Sequence, residues 1–178
     1  VAGQTYSASD NGDACAAVTT CIAGKYQSGA PDASTDRECT TCAAGKYQDQ
    51  TDKNSCKDCP TGKHQAFSTP AQHAACDLCV QGHYQDGTGK GTCIACATGK
   101  FGDSTEAVIS NDHCDDCAAG KYQDQTGQSD CTSCAAGKSG PAGTGTSDGE
   151  GTACTACASG KYQPAQAQST CTSCAAGK

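Results

Sequence analysis

Cys-x-x-Cys occurs eight times in this chain, and successive pairs are separated by two alternating distances. The pairs are Cys39/Cys42, Cys56/Cys59, Cys76/Cys79, Cys93/Cys96, Cys114/Cys117, Cys131/Cys134, Cys154/Cys157 and Cys171/Cys174. Between them lie 13, 16, 13, 17, 13, 19 and 13 residues. A spacing that never varies implies fixed geometry, and one that does implies a tolerant loop. The pattern is that of a tandem array of double modules. Its expected boundaries are a partial repeat over 1–38, double modules over 39–75, 76–113 and 114–153, and a partial module over 154–178, with the array continuing.

A conventional core is excluded by composition. Met and Trp are absent, Phe occurs twice, and Leu78 is the only leucine among 178 residues. Burying a large apolar side chain yields about 1.5–3 kcal/mol, against about 1–2 kcal/mol to order each residue's backbone. Covalent cross-links or bound metal must supply the difference, and the 18 cysteines are the obvious means. That density predicts an oxidising, extracellular or cell-surface location. The net charge of −7 argues against nucleic acid as a partner. No apolar run approaches the ~20 residues needed for membrane insertion.

Each opening cysteine is followed by a second signature. Glycine stands three residues later at Gly24, Gly45, Gly62, Gly82, Gly99, Gly120, Gly137, Gly160 and Gly177. A glycine fixed at one place predicts a turn with positive φ. Lys follows it except at His83, then an aromatic at Tyr26, Tyr47, Tyr84, Phe101, Tyr122 and Tyr162. Gln comes next at Gln27, Gln48, Gln65, Gln85, Gln123 and Gln163. Helical periodicity is missing, so short strands around Lys-Tyr-Gln, joined by turns, are expected. The Tyr rings are expected to pack on neighbouring disulfides as a substitute core. The small-residue stretch from Ser139 to Thr152 reads as the most flexible loop.

Two pairing schemes fit the cysteines. In one, each Cys-x-x-Cys-x13-Cys-x-x-Cys block is bridged first to third and second to fourth: Cys39–Cys56, Cys42–Cys59, Cys76–Cys93, Cys79–Cys96, Cys114–Cys131, Cys117–Cys134, Cys154–Cys171 and Cys157–Cys174. Two parallel bridges would explain the constant 13, and this scheme is preferred. Cys15 and Cys21 would then bond upstream or to each other. In the other, every gap closes separately, as Cys21–Cys39, Cys42–Cys56 and Cys59–Cys76. Loop-closure entropies do not separate them.

The stretch Cys117-Ala-Ala-Gly-Lys-Tyr-Gln-Asp-Gln-Thr-Gly-Gln-Ser-Asp-Cys131, with Thr-Ser-Cys134 after it, resembles the ephrin-receptor-like cysteine-rich repeat. That family is similar in logic to tumour-necrosis-factor-receptor and EGF-like modules. The likeness runs through the Cys, Gly and aromatic positions of essentially the whole chain. It departs at Ala where Pro is common after the pair (Pro60 keeps it) and at Ser139-Gly140 where the aromatic should stand. The resemblance implies extracellular architecture and no shared catalytic residues.

Rival chemistries are weaker. Zinc sites of Cys-x2-Cys-x15–20-Cys-x2-Cys type fit only the long gaps. Redox catalysis needs one activated pair in a packed domain, not eight alike. His64, His73, His83 and His113 occupy unrelated repeat positions and read as surface residues. Asp112, Asp115 and Asp116 lack the spacing of a Ca²⁺ loop. No Asn-x-Ser/Thr sequon occurs, so O-linked glycans on Ser and Thr are the expected modification.

The fold class expected is therefore small disulfide-rich repeats, an elongated rod of cysteine-rich modules with short β-strands and little helix. No cofactor or metal and no catalysis are expected. The function expected is a segment of an extracellular rod or filament, with other copies or further repeats as partners. A receptor or adhesion ectodomain binding a protein ligand is the alternative, and a zinc-binding protein the remote one. Phe101, Val108 and Ile109 are the candidate interface, since so few aliphatic residues are hard to bury within the chain.

Overall fold

Every strand in the described residues is two to five residues long and pairs with one other strand. The computed structural model describes residues 5–6, 16–32, 34–66, 73–103, 108–140 and 153–175. Two compact units are present: Val1–Asp77 with Gly87–Thr92, and Leu78–Asp86 with Cys93–Lys178. The architecture is that of small disulfide-rich repeats.

One module design recurs. An opening cysteine leads into a tight turn at the repeated glycine, and the next two residues form an outgoing strand. The loop returns to a closing cysteine, and the two residues after it form the partner strand. Lys46–Tyr47 thus pairs antiparallel with Lys57–Asp58, and Lys121–Tyr122 with Thr132–Ser133. The residues inside Cys-x-x-Cys are therefore return strands. A two-residue ladder is not stable alone, and the disulfide at its base holds it closed.

This design fixes the bridges as Cys21–Cys39, Cys42–Cys56, Cys59–Cys76, Cys79–Cys93, Cys96–Cys114, Cys117–Cys131, Cys134–Cys154 and Cys157–Cys171. The first-to-third and second-to-fourth scheme, with Cys39–Cys56, Cys42–Cys59 and Cys157–Cys174, is thereby corrected. The closing cysteine stands directly before the return strand, and the Cα atoms of Cys42 and Cys56 lie 5.8 Å apart, within disulfide reach. Each closed loop begins at the second cysteine of a pair. Cys174 has a free thiol, and Cys15 lies outside the described residues.

The constant short gap has a different cause from the one expected. Ten residues into each short loop stands a residue with left-handed backbone: Asp52 (φ 56°), Gly89 (67°), Gly127 (72°) and Ala167 (57°). In the first unit, Asp52 N–H donates to the Cys21 carbonyl at 2.9 Å and Gly89 N–H to the Cys59 carbonyl at 2.8 Å. In the second, Gly127 N–H reaches Cys96 O at 2.9 Å and Ala167 N–H reaches Cys134 O at 3.0 Å. Each short loop docks on the long module before it through the same atom pair. One residue more or less would swing the left-handed corner off its acceptor.

The long loops meet a looser requirement. Their contribution is a buried residue whose carbonyl accepts from the next-preceding module: His73 O from Gln48 N–H at 2.9 Å, and Val108 O from Gln85 N–H at 3.0 Å. Such a contact tolerates any loop long enough to reach. The flexible reading of Ser139–Thr152 falls outside the described residues, save Ser139 in a strand with Thr155 and the buried Gly140.

Candidate functional site

The repeated Gly is where modules touch. All eight described members, Gly24 through Gly160, have φ between 75° and 85°, and Gly177 lies outside the described residues. In the first unit, a Cβ on Gly45 would stand 2.1 Å from the Gly89 carbonyl oxygen. In the second, Gly82 meets Gly127 O at 2.2 Å and Gly120 meets the Ala167 carbonyl carbon at 2.3 Å. The turn of one short module is thus filled by the left-handed corner of the next short module. The same glycines relay the main chain: within the units, Gly45 N–H donates to Gln65 O at 2.9 Å and Gly99 N–H to Gln123 O at 2.7 Å. Where Gly102 and Gly140 replace the Gln, they accept from Gly82 and Gly120 in the same way, at 2.8 and 2.7 Å.

The repeated Gln, noticed in the sequence without a role, is an internal brace. Gln48 donates from Nε2 to Ser55 O at 2.6 Å and accepts from Gln50 N–H at 3.0 Å. Gln123 makes the equivalent bonds to Asp130 O and Gln125 N–H, at 2.7 and 3.0 Å. The amide spans its own disulfide loop and ties the residue before the closing cysteine. Gln48, Gln65, Gln85 and Gln123 are buried, where a conventional core would place Leu. A buried amide is tolerated only because both of its ends are satisfied. Gln48→Ala is therefore expected to cost about 1–3 kcal/mol, and Gln163→Ala, at a half-exposed position with the same two bonds, clearly less. Hydrogen exchange of each module's own amides measures the difference.

Lys and Tyr complete the module surface. Lys46 pairs with Asp58 across the ladder at 2.5 Å and Lys100 with Asp116 at 2.7 Å. Lys57 bonds Asp49 at 2.6 Å while its ammonium lies 5.6 Å from the Tyr47 ring centroid. Tyr122 packs on the cluster of Cys134, Ala153 and Cys154, the substitute core expected of the aromatics. The acidic group near Cys114 is exposed, with Asp116 engaged by Lys100.

The candidate interface is divided by the structure. Val108 is 4% exposed, so its assignment to an exposed patch with Phe101 and Ile109 is corrected. The long loop turns Val108 inward beside its own acceptor carbonyl, as it does His73, which is buried rather than on the surface. Phe101 is half-buried, and Ile109 is 51% exposed. Aliphatic exposure is instead found at Ile22, Leu78, Val80 and Ile94. Leu78 and Val80 line a groove of the second unit with Gln81 and Gln128. Disulfide formation leaves no Cys-x-x-Cys with two free thiols for zinc among the described residues.

The first unit carries an electrostatic latch. Asp52 accepts from Cys21 N–H at 2.9 Å and pairs with the buried Arg37. The Cys21 amide, then the guanidinium, holds its carboxyl below the usual range. Asp36 is lowered by the Thr19 hydroxyl and amide, Asp49 by Lys57, and Asp32 to about 2 by the Ser34 and Thr35 donors. A depressed carboxylate stabilises the fold above its unfolded pKa, and the effect is lost as pH falls through the folded one. Lowering pH from about 4 is expected to release the Thr19 and Cys21 amides, and the Ser34 and Thr35 amides only as pH passes through about 2, where Asp32 takes up its proton. Amide shifts through that titration read the release, with Gly137, which donates to a backbone carbonyl, as the internal reference.

Turns, braces and bridges of this kind define a cysteine-rich tandem-repeat protein. The family described as tyrosine-protein kinase ephrin type A/B receptor-like matches residues 32–74, 66–112 and 109–147, and the chain belongs to it. The repeats of that family are non-catalytic, and with the disulfides they mark an extracellular receptor-like or structural module. No curated protein matches the chain. No described helix is long and apolar enough to cross a membrane.

Proposed function

We propose that the chain is a segment of a disulfide-stapled extracellular filament, fibre or stalk, whose partners are further repeats or other copies. One observation carries this reading: the signature glycines and glutamines serve internal contacts, and the same contacts recur in both units. A binding site arises once in a sequence, whereas a spacer repeats. Glycines fill module contacts, glutamines brace loops and lysines pair with aspartates, which leaves the signature for architecture. O-linked sugars on exposed Thr and Ser would keep such a surface hydrated.

A receptor or adhesion ectodomain is the second reading, favoured by the groove that exposed Leu78 and Val80 line. Electron microscopy of the purified protein separates the two. Filaments are expected from the first, and discrete particles at every concentration would sink it.

A further inference from the structure

In the first unit, a cleft of about 500 Å³ opens between adjacent modules, lined by Tyr26, Thr40, Thr41, Lys46, Asn54 and Ser55. Its volume falls within the ~300–1,000 Å³ typical of small-molecule sites. Tyr26 and the Cys56 disulfide give it apolar lining. Around them stand three hydroxyl side chains and one amide, groups that both donate and accept. The Asn54 amide has no side-chain partner among the described residues, whereas Thr40 Oγ1 donates to Ser28 at 2.8 Å and still offers lone pairs. The one cation, Lys46, is neutralised by Asp58 at 2.5 Å.

An aromatic ring beside several neutral hydrogen-bonding groups, with no net charge, is complementary to one chemistry. A sugar ring presents apolar C–H faces and a rim of hydroxyls. We propose that this cleft binds a neutral pyranose residue of a glycan carried by another molecule. An acidic sugar would meet no unpaired cation here, in a chain of net charge −7.

The repeat supplies an internal comparison. One module later, the equivalent space is bounded by Tyr47, Pro60, Lys63, Ala74 and Ala75. There it shrinks to about 200 Å³, and alanines replace Asn54 and Ser55. Lys57 also lies over the Tyr47 ring. The same backbone therefore offers one competent cleft and one filled counterpart. The proposal does not depend on the filament reading, since either a fibre or an ectodomain could carry such a site.

The test is an amide-shift titration of oxidised, unglycosylated protein with cellotetraose, maltotetraose and chitotriose, each at millimolar concentration. Saturable shifts are expected at Tyr26, Thr41, Asn54 and Ser55, and not at Tyr47, Ala74 or Ala75, with at least one of the three sugars. Asn54→Ala, at an exposed position that keeps the fold, is expected to weaken binding by roughly tenfold. Tyr26→Phe should retain it and Tyr26→Ala should lose it, with all eight disulfides intact by mass. The proposal is overturned by an absence of saturable shifts with all three sugars, by shifts centred elsewhere, or by unchanged affinity in Asn54→Ala. Tighter binding of a sulfated tetrasaccharide at the same residues would overturn it too.

Discussion

Gly82→Ala is expected to destabilise the second unit by about 2–6 kcal/mol, from left-handed strain of about 1–3 kcal/mol and overpacking of a similar size. The reason is geometric. The new Cβ would lie 2.2 Å from the Gly127 carbonyl oxygen, and that obstacle is backbone, which no side-chain rotation can clear. Gly127 would have to withdraw and give up its 2.9 Å bond to the Cys96 carbonyl. Gly160 provides the control. Its φ of 78° is close to the 76° of Gly82, yet a Cβ there meets nothing within 4 Å. Gly160→Ala should therefore cost only the strain, about 1–3 kcal/mol. Hydrogen exchange in urea, followed amide by amide, measures both; equal losses would show that module docking contributes nothing.

Full reduction is expected to abolish the fold of both units. A closed loop of this length contributes about 3 kcal/mol in the chain-entropy model. Eight such loops together exceed the ~5–15 kcal/mol of net stability usual for a domain. Little else could compensate, because the buried apolar positions are almost all cysteines themselves. Amide dispersion before and after a phosphine reductant tests this directly. Native dispersion surviving with all thiols free would mean that the Gln braces and ladders suffice. Removing one bridge, as in Cys96→Ser with Cys114→Ser, should cost about 2–5 kcal/mol.

Much of this architecture was legible from spacing alone. Period, turn glycines, short strands and dependence on cross-links follow from where Cys, Gly and Tyr recur and from the shortage of apolar residues. The pairing was misread because a constant spacing reports that a loop is constrained, not what constrains it. The constraint is the left-handed corner at Asp52, Gly89, Gly127 and Ala167, three residue types sharing one conformation. No residue signature marks it, since an N–H and a φ angle do that work and every residue but proline carries the N–H. Val108 was misplaced for a related reason. His73 and Val108 serve the same acceptor role with unrelated side chains, so a search by residue type sees a surface histidine and an exposed aliphatic where the structure has two plugs. The Gln brace had the opposite fate: its recurrence was visible, and only its loop-spanning geometry was missing.

Docking of each short loop on the long module before it also restricts how such a gene can change. Unequal recombination that gained or lost a single module would set a long loop where the left-handed corner must land. Copies can therefore be added or deleted only in twos, as a long loop with its short successor. Small insertions are free to accumulate in the 16-, 17- and 19-residue gaps and are purged from those of 13. Sequence drift in this lineage should run fast in every second loop and nearly stop in the others.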